Sequence, residues 1–268
     1  MITFYFSPRK GAEKRKIQKM ASTSKPPEVT VTVLEKQKLP KSSVDWNDVH
    51  LPIDILLLTV EDCEFLSCLS HLKPGFYKSY HKDLGYVYFG ALGDDQTTGL
   101  KIVLIKCNKG SSVPGGSVVV AKNAVELLRP KAVFCVGYCS SLKGREAKLG
   151  DVVVSAKLIT YAPTKVLTSG TRERGVSVPL NKHLLNLIRS AGEGWEAPLK
   201  DPRQLEVTVH RDGVILSGPE EVASSERCKD LLSRFPEAIA IEMEGEGKEL
   251  TQQFKARLAV ILMQKELN

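Results

Sequence analysis

Residues 117–137 read SVVVAKNAVELLRPKAVFCVG. Val118, Ala121, Val125 and Leu128 recur at three- and four-residue spacing, the period of a helix that buries one face. Pro130 has no amide to donate and ends the run. From 132 to 137 the residues are apolar almost without interruption, as in a strand covered on both faces. A helix delivered straight into a doubly covered strand is the unit of an α/β layer fold.

Working outward, strand-like apolar runs fall at 53–58, 86–92, 101–107, 151–158, 214–217, 238–241 and 258–263. Helical spacing occurs over 62–72, where Phe65, Cys68, Leu69 and Leu72 share a face, and further helices are expected at 181–191, 219–235 and 244–254. The alternation predicts an α/β domain over 51–268, with a mostly buried sheet and functional loops at strand ends. No internal repeat is visible.

Of the 268 residues, 42% are hydrophobic and 26% charged, which excludes disorder throughout and a coiled coil. The longest apolar stretches are about five residues, against the ~20 of a membrane-spanning helix, so no membrane association is expected. The six cysteines (63, 68, 107, 135, 139 and 228) form no Cys-x-x-Cys pair, and Cys107 and Cys135 lie inside apolar runs. They read as reduced core thiols of a cytoplasmic protein.

The net charge of +7 is concentrated at one end. Residues 1–50 hold ten Lys/Arg and five Asp/Glu, and the remaining 218 residues hold 28 and 26, so the folded body lacks the basic surplus of a nucleic-acid binder. The basic cluster Arg9, Lys10, Lys14, Arg15, Lys16 and Lys19 follows an apolar patch of five residues, too short for a secretory signal. Pro26, Pro27 and Pro40 give residues 21–50 the composition of a linker. Residues 1–50 are therefore expected to be a basic extension and linker.

Four segments have residue types suited to chemistry. Lys109 to Ser117 links a strand to a helix through Gly110, Gly115 and Gly116, which either shape a turn or let the backbone approach an anion. Gly137-Tyr138-Cys139-Ser140-Ser141 follows the strand end, where ligands bind in open α/β sheets. No histidine lies nearby, so Cys139 reads as a structural thiol before a nucleophile. Glu242-Met243-Glu244 ends another apolar run. Its carboxylates suit either sugar hydroxyls or the first turn of a helix. Glu61, Asp62 and Glu64 follow the first strand with the same two readings. No His/Cys spacing suggests a metal site.

Taken in order, three segments resemble the purine nucleoside and uridine phosphorylase superfamily, most closely its methylthioadenosine/S-adenosylhomocysteine nucleosidase-like branch. They are Arg129 to Gly137, Lys148 to Ser155, and Ile241-Glu242-Met243-Glu244-Gly245. The resemblance implies a three-layer α/β/α sandwich around a twisted mixed sheet. It also implies a homo-oligomer completing its sites across subunits, with no cofactor. The implied reaction is cleavage of a nucleoside N-glycosidic bond through an oxocarbenium-like ribosyl group.

By position, Met243 and Glu244, beside Glu242, match the ribose-binding residues, and Gly137, Tyr138, Cys139 and Ser140 match the loop beside base and sugar. Glu64 is the expected water-activating base, with Glu61 as the alternative. Cys135 stands where phosphorylases carry an arginine for phosphate, which favours hydrolysis, of methylthioadenosine or S-adenosylhomocysteine for example. The chain departs from the family at Ser112, Ser140 and Ser141, where glycines are usual, and at Glu221, where nucleosidases place an aromatic. Glu266 falls within one residue of the acid serving the purine, on an unusual C-terminus. These departures leave a second expectation, a nucleoside-binding or scaffold member with impaired catalysis.

Overall fold

The computed structural model describes residues 27–243, apart from 94–98, 149, 163, 169, 174, 192, 221 and 223, together with 257–265. Its first half supplies β1 (Ile55–Thr59), α1 (Asp62–Ser70), β2 (Tyr77–His81), β3 (Gly85–Leu92), β4 (Leu100–Lys106), α2 (Ser117–Leu128) and β5 (Ala132–Ser141). The second half supplies β6 (Val152–Thr160), β7 (Thr164–Leu167), β8 (Gly170–Glu173), β9 (Ser177–Pro179), α3 (Lys182–Ala191), β10 (Val209–Ser217), α4 (Ser225–Arg234), β11 (Ala238–Glu242) and β12 (Arg257–Lys265).

Ten strands form one mixed sheet in the order β11-β10-β6-β12-β5-β1-β4-β3-β2, with β9 paired to β6 off this path. β1 runs parallel to both β4 and β5 and is buried along almost its whole length. Alternation divides its side chains between two layers. Leu56 and Leu58 join Val103 and Ile105 of β4 against Val120, Ala124 and Leu128 of α2. Leu57 joins Ile102 and Leu104 against Phe65, Cys68 and Leu69 of α1. Each such aliphatic side chain contributes about 1.5–3 kcal/mol on burial, so neither helix is readily lifted from the sheet. The α/β/α layering expected from the sequence is the one observed.

The other half of the sheet curls. β11 pairs with β10 and also, antiparallel, with the end of β5, so β5, β12, β6, β10 and β11 form a closed ring of hydrogen-bonded strands. A cluster of Cys139, Val153, Leu158, Ile215 and Ala240 draws on four of those five strands. On the outer side, Leu231 of α4 packs with Ile159, Leu216 and Ile241.

Three sequence expectations are corrected here. Residues 137–141, expected as a loop, continue β5, because Ser140 and Ser141 pair with Ile241 and Ala240 of β11. The helix expected from 219 begins at Ser225, where the Ser224 hydroxyl accepts from the Arg227 amide and fixes the start. Residues 27–50, read as linker, are packed on the body. Val29 bridges to Leu199, the Leu34 amide donates to Ser70 Oγ at 2.7 Å, and Val44 bridges to Ser79 of β2. Trp46 sits against His81 and Phe89. Proline and serine content marked this stretch as irregular, but its pairings are with residues 35 or more positions away.

Candidate active site

β1, β4 and β5 are parallel, so the segments leaving their C-terminal ends meet. After β1 the chain enters α1, whose first turn places Glu64 at the third helical position. Its carboxylate reaches back to accept from the Val60 and Glu61 amides, both at 2.9 Å, as the return half of a capping box. A third amide, that of Tyr138 on β5, also donates to it. Glu64 is only 8% exposed. Burial raises its pKa to about 7, against the opposing pull of those three amides, with a further small rise from Glu61. A carboxyl at that value accepts and releases a proton near neutral pH, as a general base requires.

Glu61, the alternative base, is differently placed. Lys109 Nζ lies 3.4 Å from its Oε1, and no comparable burial surrounds it, its side chain being 23% exposed. Asp62 pairs with Lys106 of β4 and with Lys36 of the 27–50 segment, and those contacts, Lys106 first, hold its carboxyl below the usual range.

On the far side of Tyr138, β5 carries Cys139 into the strand ring. Burial, reinforced by the neighbouring Glu242 carboxylate, pushes this thiol far above its ordinary value, so it stays protonated and is no nucleophile. Glu242 ends β11 at 7% exposure, level with Ser217 of β10, and half-buried Met243 follows it. Tyr138 thus joins two groups distant in sequence, Glu64 on one side and Cys139 with Glu242 on the other. Gly137 and Ser140 flank it on the same strand. Glu244, Glu266 and Glu221 lie outside the described residues. Cys135 is packed against apolar clusters that include Val133 and Ile239.

The glycine-rich loop after β4 is a tight turn. The Asn108 amide donates to Gly115 O at 2.7 Å, Gly116 N to Val113 O at 2.8 Å, and Val118 N to Ser111 O at 3.0 Å. Two amides at the start of α2 are therefore spent inside the loop, which argues for the turn-shaping role of its glycines. Among the described residues no group of three or more His, Cys, Asp or Glu is placed to hold a metal ion, and no helix is long and apolar enough to cross a membrane.

Sequence reasoning missed the amide of Tyr138 as a partner of Glu64. A backbone donor leaves no mark in residue type. It also missed Lys36, whose segment reads as linker.

The model of the phosphorylase superfamily matches residues 73–246, more than half of the sequence. The chain belongs to the phosphorylase superfamily. A death domain-containing ATP nucleosidase from Amphimedon queenslandica is 28% identical over 219 residues, 75% of this chain and 40% of that protein. The chain thus spans about two fifths of the length of the curated relative it matches.

Solved structures agree on the fold. An adenine complex of the methylthioadenosine/S-adenosylhomocysteine nucleosidase from Colwellia psychrerythraea superposes with a TM-score of 0.62 at 15% identity, covering 81% of this chain and 85% of that one. A futalosine hydrolase mutant from Helicobacter pylori gives 0.59 at 18% identity, over 81% and 92%. At such identities the likeness concerns architecture.

Proposed function

We propose that this phosphorylase-superfamily chain hydrolyses the N-glycosidic bond of a purine nucleoside unit, with Glu64 as the base. One observation carries the reading: a buried carboxyl, raised to about 7, is aimed by the amides of Val60, Glu61 and Tyr138 at the junction of β1 and β5. In the forward step Glu64 takes a proton from water, whose oxygen bonds to C1′ as the bond from C1′ to the purine nitrogen breaks. The departing purine gains a proton, so water and nucleoside become free sugar and free base. Glu242 and Met243, with Glu244, are the residues proposed to hold the ribose, and Glu266 is the proposed acid for the purine. Gly137, Tyr138, Cys139 and Ser140 are the residues proposed to lie beside base and sugar.

The purine part of the substrate is supported by the relatives: one is named an ATP nucleosidase, and one nucleosidase structure contains adenine. Water rather than phosphate is favoured by Cys135, which lies in an apolar setting and brings no cation. The homo-oligomeric state expected from the resemblance and the cytoplasmic location expected from the reduced cysteines remain part of this proposal.

Chromatography of free base from methylthioadenosine, S-adenosylhomocysteine, adenosine, inosine and uridine, with and without phosphate, tests the reading. Base release independent of phosphate is the expected outcome. Release that requires phosphate would reverse the assignment from Cys135. No release by folded protein would leave a nucleoside-binding module.

The pH profile gives a sharper prediction. Glu64 must be ionised to accept a proton, so kcat/KM for base release is expected to rise as pH passes about 7 and then to level. A profile flat from pH 5 to 9 would remove Glu64 as the base.

A further inference from the structure

Three ammonium groups from two stretches of the chain gather at the first turn of α1. Lys106, at the end of β4, and Lys36, from the packed 27–50 segment, both pair with Asp62. Lys109, from the loop after β4, pairs with Glu61. Glu61, the N-cap, and Asp62, the first helical residue, precede Glu64 by three and two residues, so the lysines and the Glu64 carboxyl border the same helix start.

Stability does not account for this convergence. Exposed ion pairs typically contribute about 0–1 kcal/mol. The charges also do not balance, since one Asp62 carboxylate, kept ionised by its hydrogen bonds, stands between two lysines. The Lys36, Lys106 and Lys109 side chains are 63%, 39% and 66% exposed, so all three are open to an arriving solute. Each ammonium has three donors, and one carboxylate contact leaves others for a ligand oxygen. Glu61 and Asp62 act as brackets that hold three flexible side chains in one place and lower the entropy lost when an anion arrives.

We propose that Lys36, Lys106 and Lys109 bind the 5′-phosphate chain of a nucleotide whose glycosidic bond lies at Glu64. The inference rests on the function proposed above and names its substrate class, a purine nucleoside 5′-polyphosphate. A phosphate chain offers several anionic oxygens to this rim, whereas an apolar 5′ substituent would displace water from the ammonium groups without replacing its hydrogen bonds. Lys36 gives the 27–50 segment a part in substrate choice, reaching the site through its contact with Asp62.

Two measurements on the full chain test this. In the first, kcat/KM for adenine release is compared between adenosine 5′-triphosphate and adenosine. The triphosphate is expected to be favoured by at least about tenfold at low ionic strength, with the advantage shrinking as salt is added. Lys36→Ala and Lys109→Ala are each expected to lower that ratio about tenfold. Equal effects of either variant on both substrates, or no preference for the triphosphate, would overturn the proposal while leaving the nucleosidase reading intact.

The second measurement needs no turnover. Inorganic triphosphate is titrated calorimetrically into wild type and into the Lys36→Ala/Lys109→Ala double variant, each first shown to be folded by its melting transition. Binding by wild type that weakens at least tenfold in the double variant supports the rim even if no base is released. Absence of binding, or equal binding by both, overturns it.

Discussion

Glu64→Gln is expected to lower the rate of base release by about 100- to 10,000-fold, the usual contribution of a positioned general base, with little change in KM. The same substitution is expected to make the protein more stable above neutral pH. The sign follows from which state holds the proton. The Glu64 carboxyl titrates near 4.5 when unfolded and near 7 when folded. Between those values the unfolded chain is ionised while the folded chain keeps its proton, so stability falls as pH rises from about 4.5 to about 7 and is level above.

A shift of that size corresponds to about 3 kcal/mol, and glutamine, which fills the same space without charge, removes the penalty. Urea unfolding of both proteins at pH 5 and pH 8 reads this directly. A gap that widens toward pH 8 in favour of the variant is the expected result. Equal stability at both pH values would show that the carboxyl is not raised, and would leave the base assignment without its support.

Gly116→Ala is expected to cost about 3 kcal/mol, the upper part of the range for an added methyl in a filled space. Gly116 precedes α2 with φ at −71°, so backbone conformation is no obstacle. Space is the obstacle. A Cβ there would lie 2.2 Å from Gly110 O, 2.7 Å from Ser111 O and 2.9 Å from Val113 O. All three atoms belong to backbone held in the hydrogen-bonded turn after β4, which has no flexible end to yield. The methyl must open the turn, and Lys109, which pairs with Glu61, sits in it.

Gly144→Ala serves as the control, since a Cβ at Gly144 meets nothing within 4 Å. The denaturant midpoint is expected to fall for Gly116→Ala, and the unfolding free energy of Gly144→Ala to stay within about 0.5 kcal/mol of wild type. Similar midpoints for the two variants would show that the turn is looser than its hydrogen bonds indicate.

Much of the layering was legible in the order of residues. The spacing of Val118, Ala121, Val125 and Leu128 and the break at Pro130 placed α2 to within a residue or so, because helix period and proline chemistry act locally. The apolar runs of β1, β4 and β5 were equally plain, since strands covered on both faces need apolar side chains at nearly every position. β2, β7, β8 and β9 were missed. Tyr77, Lys78, Ser79, Tyr80 and His81 form a half-exposed edge strand with polar and aromatic residues, and Pro179 sits in a three-residue strand.

The sequence by itself determined the kinds of group present and their local frames: an acidic helix start at Glu61, Asp62 and Glu64, a glycine-shaped turn after β4, and carboxylates at the end of β11. These follow from composition and from interactions spanning a few residues. Only the tertiary structure decided how those frames meet. Parallel pairing of β1 with β5 brings the Tyr138 amide to Glu64, and the burial this creates raises a carboxyl that is ordinary in sequence. Antiparallel pairing of β11 with β5 sets Glu242 beside Cys139 and turns a supposed loop into strand. Packing of residues 27–50 carries Lys36 to Asp62. Each depends on partners tens of residues apart, and desolvation and long-range pairing are properties of the assembled sheet that no local window contains.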